Sequence, residues 1–387
     1  MGKVDQTNFK MLAKCFYGFE EILAKELLSL GAQKIQTGRR NVSFYGDKGF
    51  MYKANLSLRT ALKILKPISE FKFGDINSFY DKIYNIKWES LLGVDSAFII
   101  NSSVFHSKIF NNSKFTSLKA KDAIADRFRN KFSKRPNVDA KNPDLKIDIH
   151  VNKNTCTISL DSSGESLHKR GYKKYNSFAP LNEVLAAGLI LISGWRGKTD
   201  FLDPMCGCGT ILIEAAMIAG NIPPNLQRSN FAFEKWNDWD QELFDIIEES
   251  VTKKINKIDC KIFGYDISNS IIRKCKKNIE ECDIDLKIKV ETRDFFKSKK
   301  TNKDRLQIVV NPPYDKRIPT DFKSFYSEIG NTLKRNYDNT SSWILTANME
   351  AIKHIGLRTS KRIKLFNSSL ESRFLNYQIY SGSKKEK

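Results

Sequence analysis

From residue 163 to residue 387 the sequence alternates short apolar runs with amphipathic stretches of helical period, and this alternation restricts the fold more than any other feature. The pattern predicts a helix over Leu181–Ser193, a strand ending at Asp200–Leu202 and a helix over Thr210–Ala219. It continues with a strand at Lys261–Tyr265, a helix at Ser270–Cys282 and strands at Lys287–Glu291 and Leu306–Val310. A helix at Phe322–Tyr337 and a strand at Ser342–Thr346 follow. Successive strand–helix units close only as a parallel sheet with helices on both faces, so the expected class is α/β, doubly wound. The apolar stretch Val184–Ile192 is about nine residues long, which suits a buried core helix and is too short for a membrane span.

The first 162 residues read differently. Phe9–Cys15 is a strand, and Phe19–Leu30 an amphipathic helix with Ile22, Leu23, Leu27 and Leu30 at helical spacing, ended by Gly31. Strands at Lys34–Thr37 and Asn41–Tyr45 precede a helix through Met51 and Leu56, for which Asp47 is the cap. This β-α-β-β-α run over residues 1–65 has the order of a ferredoxin-like unit. A second α+β unit over residues 66–162 has strands at Lys66–Phe73 and Ala97–Ser103, and a helix at Phe79–Lys87 leading to Trp88. It ends in a hairpin, Lys146–Val151 and Thr155–Asp161, joined by Asn152-Lys153-Asn154. Ser117–Lys134 is a helix carrying Lys119, Lys121, Arg127, Arg129, Lys131 and Lys134, which reads either as an RNA-contacting face or as an ordinary solvated one.

Charge selects among partners. Against 44 Asp and Glu stand 65 Lys and Arg, a net charge of +21 that draws the chain to polyanions. A lysine-rich composition is the alternative source of that charge. The seven cysteines (Cys15, Cys156, Cys206, Cys208, Cys260, Cys275 and Cys282) include no C-x-x-C pair, and there are four histidines, so neither a disulfide framework nor a metal site is expected. No window approaches a membrane span, and Met1-Gly2-Lys3-Val4-Asp5 opens without an apolar signal core; the expected compartment is the cytoplasm.

Four short motifs stand at the carboxyl ends of predicted strands, where open α/β sheets bind ligands. Asp203-Pro204-Met205-Cys206-Gly207-Cys208-Gly209-Thr210 opens a helix through two glycines that let a ligand approach the backbone. It is neither a dinucleotide fingerprint, which has a third glycine, nor a phosphate loop with G-K-[ST]. An acidic residue before such a loop suits a cofactor with a positively charged amino-acid moiety. Gly264-Tyr265-Asp266 presents a carboxylate that can accept both hydroxyls of a ribose; the alternative is that Asp266 caps the helix beginning near Ser268. In Arg293-Asp294-Phe295-Phe296 a carboxylate can accept from an adenine amine while an aromatic ring packs on the base; the alternative is a turn aspartate. Asn311-Pro312-Pro313-Tyr314 ends the strand Leu306–Val310, because two prolines cannot continue it. An amide and a proline carbonyl can accept from an exocyclic amine, and the tyrosine ring can stack on a flipped base.

With these motifs in order, the sequence resembles the class I S-adenosylmethionine-dependent methyltransferases of the N-P-P-Y type. More closely it resembles bacterial THUMP-domain RNA methyltransferases that make N2-methylguanosine in large-subunit ribosomal RNA. Leu160 to Tyr172 and Ala179-Pro180-Leu181-Asn182-Glu183 are similar to the segment before that family's catalytic domain, and Phe201 to Ala219 to its cofactor loop. Lys361–Asn367 and Leu370-Glu371-Ser372-Arg373 resemble its C-terminal strands. The resemblance implies a ferredoxin-like subdomain (1–65), a THUMP RNA-binding domain (66–162) and a Rossmann-like methyltransferase domain (163–387). It implies that Asp203, Gly207 and Gly209 line the methionine part of the cofactor, with Pro204, Cys206 and Thr210 also binding the cofactor, that Asp266 holds the ribose and that Asp294 with Phe295 holds the adenine. Asn311, Pro312, Pro313 and Tyr314 would hold the target guanine, with Asn311 also beside the cofactor. The chain departs from the family at Asp315-Lys316-Arg317, where Gly-Glu-Arg is common. The implied partner is RNA, ribosomal RNA first. Guanine N2 in transfer RNA, adenine N6 in DNA and a non-catalytic RNA-binding assembly factor are the alternatives.

Overall fold

A computed structural model describes residues 8–176, 180–282, 286–313 and 321–380. The chain begins with β1 (Phe9–Cys15), α1 (Glu20–Leu30), β2 (Gln33–Gly38), β3 (Asn41–Gly46) and α2 (Lys48–Ser57). Each boundary has a local cause. Gly31 ends α1 in the left-handed region at φ 102°, and Asp47 caps α2 by accepting from the Phe50 N–H at 2.7 Å. Next come β4 (Ala61–Lys72), α3 (Ile76–Tyr84), β5 (Ala97–Phe105), α4 (Ser113–Phe132), β6 (Asn137–Val138), β7 (Leu145–Asn152) and β8 (Thr155–Asp161). Asp75 starts α3 with a reciprocal capping box, and Asn112 starts α4 one turn before the sequence pattern places it. The hairpin turns at Lys153, whose φ is 56°.

These strands make one sheet in the order β2-β3-β1-β4-β8-β7-β5-β6. β4 runs across positions 65 and 66: its first half pairs with β1 and its second with β8. Sequence reading begins this strand at Lys66. The strand starts at Ala61 and absorbs Pro67, which has no N–H to donate, through a register shift between Pro67 and Ser69.

The second half comprises α5 (Glu183–Ile192), β9 (Asp200–Asp203), α6 (Thr210–Ala219), α7 (Gln241–Thr252), β10 (Ile262–Asp266), α8 (Asn269–Glu280) and β11 (Ile288–Thr292). It is completed by β12 (Leu306–Val310), α9 (Phe322–Asn336), β13 (Thr340–Thr346), β14 (Lys361–Asn367) and β15 (Leu370–Ile379). Its sheet has the order β11-β10-β9-β12-β13-β15-β14, parallel except for the two last strands. The order reverses beside β9, the point at which such sheets open a crevice. Ile308 and Val310 pack with Tyr326, Ile329 and Leu333 of α9, whereas Val309, Trp343 and Leu345 join the cluster on the opposite face. The expected elements leave out α7, although Leu243, Phe244, Ile247 and Val251 stand at helical spacing; Asp240 caps it, and it packs on α2 beside an aromatic cluster of Tyr52, Phe233, Trp239 and Phe244.

A strap between β8 and α5 joins the two halves, and Arg170 on it is fully buried. Its Nε faces Glu214 Oε1 of α6 at 3.2 Å, its Nη1 donates to Leu167 O and Asn225 Oδ1, and its Nη2 donates to Arg59 O at 2.7 Å. Tyr172 donates to the same Glu214 oxygen at 3.1 Å. Burial pushes the Glu214 carboxyl upward, opposed chiefly by Arg170 and Arg59. Breaking one side of such a pair strands a buried charge at a cost of about 3–5 kcal/mol. Arg170→Met is therefore expected to lower urea-unfolding stability by about that amount, and Arg170→Met/Glu214→Leu to recover a large part of the loss.

Candidate active site

The carboxyl ends of the neighbouring strands β11, β10, β9 and β12 surround a cavity of about 480 Å³. Asp203, Pro204, Cys206, Gly207, Thr210, Asp266, Asp294, Phe295, Asn311 and Pro313 line it. The parallel register places these positions at one level: Gly264 pairs with Asp203 and Asp266 with Thr292.

The loop after β9 is fixed by backbone bonds. Cys206 N donates to Tyr265 O at 2.8 Å, Gly209 N to Cys206 O at 2.9 Å, and Gly207 N to Asp266 Oδ2 at 3.2 Å. The two glycines serve different ends. Gly207 has a φ of 53°, and a Cβ there would meet nothing within 4 Å, so this backbone is open to the cavity. Gly209 does not line the cavity; its φ is 87°, it precedes the first turn of α6, and a Cβ there would stand 2.6 Å from Cys275 Sγ. Pro312 is buried and is likewise absent from the cavity wall. Tyr314, Asp315, Lys316, Arg317 and Ala179 lie outside the described residues.

Asp203 is 1% exposed, and burial raises its carboxyl to about 8, helped by the charge of Asp266 and opposed by the Met205 N–H that it accepts at 3.2 Å. A carboxyl held in this condition is ready to ionise when a cation arrives. Asp266 accepts from Ser268 N through Oδ1 at 2.9 Å and from Gly207 N through Oδ2. It thus ties the start of α8 to the glycine loop, while a carboxylate retains about two further acceptor positions. Asp294 accepts from Phe296 N at 2.9 Å, which shapes the turn carrying Phe295 and Phe296. A hydrogen bond with Cys275 and burial push the Cys206 thiol well above its ordinary range, so it is a loop filler rather than a nucleophile.

The cavity also exposes residues to which the motifs assign no role: Met205, Ile267, Phe296 and Phe325 form apolar wall, and Pro180 and Leu181 reach it from the strap. Phe296 meets Phe325 edge-on at 5.4 Å, which joins the turn after β11 to α9. Asn278 of α8, fully buried, donates to Cys208 O at 3.1 Å and bonds Tyr175 in both directions, holding loop and strap together. Phe325 and Asn278 stand outside the motifs, and only spatial contact between distant segments identifies them. On α4 the basic residues are largely paired: Arg127 grips Glu89 through two bonds of 2.8 and 2.7 Å, Lys131 joins the same carboxylate, and Arg129 pairs with Asp126.

Comparison with known proteins agrees with this arrangement. The family model of the RMKL-like methyltransferase domain matches residues 170–375, that of the THUMP domain residues 73–161, and that of the RlmL ferredoxin-like domain residues 10–65. The ribosomal RNA large subunit methyltransferase K/L of Syntrophotalea carbinolica is 34% identical over 96% of this chain and 53% of its own length. The chain thus spans about half the length of that relative. A Synechocystis protein whose name provisionally assigns it as an RNA methyltransferase is 33% identical over 94% of this chain and 95% of its own. Among solved structures, one described as a possible methylase from Clostridium difficile 630 has a TM-score of 0.88 at 30% identity, covering 98% of this chain and all of that one. Another, provisionally named a methyltransferase and solved with SAH, has a TM-score of 0.86 at 29% identity over 98% and 100% of the two chains. The chain belongs to the family of THUMP-containing proteins with an RMKL-like methyltransferase domain.

Proposed function

We propose that this protein transfers a methyl group from S-adenosylmethionine to the exocyclic N2 amine of a guanine in large-subunit ribosomal RNA. The observation that carries the reading is that Asn311 and Pro313 share one cavity wall with Asp203, Asp266 and Phe295. The turn proposed to grip the amine and the cofactor groups therefore face the same cavity. The names of the K/L relatives support the RNA assignment, and so does the THUMP domain ahead of the site.

The residues present fit this cofactor. A buried, cation-seeking carboxyl at Asp203 and an open backbone at Gly207 suit an amino-acid end. The spare acceptor positions of Asp266 suit a ribose, and the Phe295 turn with Asp294 suits an adenine. S-adenosylmethionine, when bound, supplies a methyl already activated as a sulfonium, so the protein needs no covalent nucleophile. The chain contributes position and electrostatics. Asn311 Oδ1 accepts from the target amine and turns its lone pair into the cavity, and the resemblance gives the second acceptance to the Pro312 carbonyl, behind the present wall. Pro312 and Pro313 stiffen that turn, so the acceptors are in place before the base arrives. Tyr314 stacks on the flipped base.

Asn311→Ala is expected to reduce methyl transfer by about 100-fold or more while leaving calorimetric cofactor affinity nearly unchanged; an active variant removes the assignment. Asp203 gives a pH prediction. Its raised carboxyl is mostly protonated at pH 7, and a cationic ligand favours the ionised form. Cofactor binding should therefore release a proton and strengthen by roughly tenfold per pH step up to about 8, then level off. Asp203→Asn should flatten that profile, as calorimetry in buffers of different ionisation enthalpy will read. RNA affinity should fall steeply and log-linearly with salt in a filter-binding series.

A further inference from the structure

A second cavity, of about 670 Å³, lies between the first domain and the methyltransferase domain, away from the active site. α1 and α2 form one wall; α5, the carboxyl ends of α6 and α7, and β14 form the other. Five cationic side chains line it, Lys25, Lys53, Arg59, Arg196 and Lys254, against one carboxylate, Glu26. That carboxylate is already engaged: Oε1 accepts from Arg59 N at 2.9 Å, and Oε2 accepts from Thr60 N at 3.1 Å and from the Thr60 hydroxyl.

Arg59 is the informative residue. It is 9% exposed, and its Nη2 spans the domain junction to Met217 O at 3.1 Å and Ile222 O at 2.7 Å. Its Nη1 has no acceptor among the described residues, and neither does the buried Ser57 hydroxyl on the same wall. A buried donor left unmet costs about 1–3 kcal/mol, more when charged, so a guanidinium in this condition asks for an anion. Like charges meet across the junction as well: the charge of Lys254 adds to burial in holding the Lys53 ammonium below its ordinary range. An excess of four positive charges exceeds what one carboxylate ligand would balance. The remaining guanidinium nitrogen of Arg59, with ammonium groups beside it, suits the oxygens of phosphate.

We infer that this interdomain cavity is a binding site for a phosphate group, carried either by a phosphorylated small molecule or by the RNA backbone, and that its occupant clamps the first domain to the methyltransferase domain. Because the ligand would touch both walls, it would stabilise their docking as well as fill the unmet bonds.

The full chain tests this by calorimetric titration with inorganic pyrophosphate at constant ionic strength. Wild type is compared with Lys25→Ala/Lys254→Ala, whose two exposed positions leave the core untouched, and with Lys82→Ala on α3 as a distant control. Saturable one-to-one binding is expected, weakened about tenfold in the double variant, as two rim cations would together contribute, and unchanged in the control. Pyrophosphate should also raise the thermal midpoint of wild type more than that of the double variant. A short single-stranded RNA then competes: displacement of pyrophosphate assigns the site to backbone phosphate, and retention assigns it to a free phosphorylated molecule. Absence of saturable binding to wild type, or equal binding by the double variant, overturns the inference.

Discussion

The buried pair of Arg170 and Glu214 is the constraint on which the remaining architecture rests. Arg170 sits on the strap between the two sheets, yet its donors reach the turn after α2, the strap itself, Asn225 and helix α6. Helix α6 begins where the cofactor loop ends. One guanidinium therefore fixes the first domain, the linker and the helix behind the active site in a single geometry. Such a pair adds little net stability over an apolar substitute, but its directional bonds reject other dockings. Gly188 shows the same junction from its apolar side: the ring of Phe19 lies where a Cβ on α5 would stand, as near as 2.0 Å.

The active-site cavity follows from that rigidity. Four parallel strands deliver acceptor groups to one rim, and helix and strap residues close it with apolar side chains. Burial then changes the chemistry of what is enclosed. Asp203 is a carboxyl that prefers its neutral form until a cation compensates it, whereas Asp266 is held by two backbone donors and doubles as a brace for the loop. The helix cap that the sequence offered as the alternative role of Asp266 belongs to Ser268, while Asp266 accepts from Ser268 N and keeps acceptor capacity for a ligand. Asp294 likewise shapes its turn while facing the cavity.

Particular residues show why some of this was legible and some was not. Thr210–Ala219 and Leu306–Val310 stand as read, since a glycine loop and a proline pair mark their ends without ambiguity. The expected strand Lys66–Phe73 already crosses Pro67 but misses Ala61–Leu65, because it is pairing with β1, in another part of the chain, that draws this segment into the same strand. Helix α7 is legible in its period, with Leu243, Phe244, Ile247 and Val251 following the Asp240 cap, but what its inner face meets, aromatic residues from separate segments, is not. The basic helix α4 differs again: its charge is plain in sequence, but its pairing is not, since Glu89, far away along the chain, takes up Arg127 and Lys131.

By itself the sequence determined the doubly wound class, the four motifs and their assignment to successive strand ends, because hydrophobic period, glycine and proline act locally. Tertiary structure decided which of those residues face a common space, since that depends on register and on how loops fold back. It set Gly207 open to the cavity and Gly209 packed against Cys275 within one motif. It alone produced the raised carboxyl of Asp203 and the unmet guanidinium nitrogen of Arg59, because burial is a property of everything packed around a group and of no segment by itself.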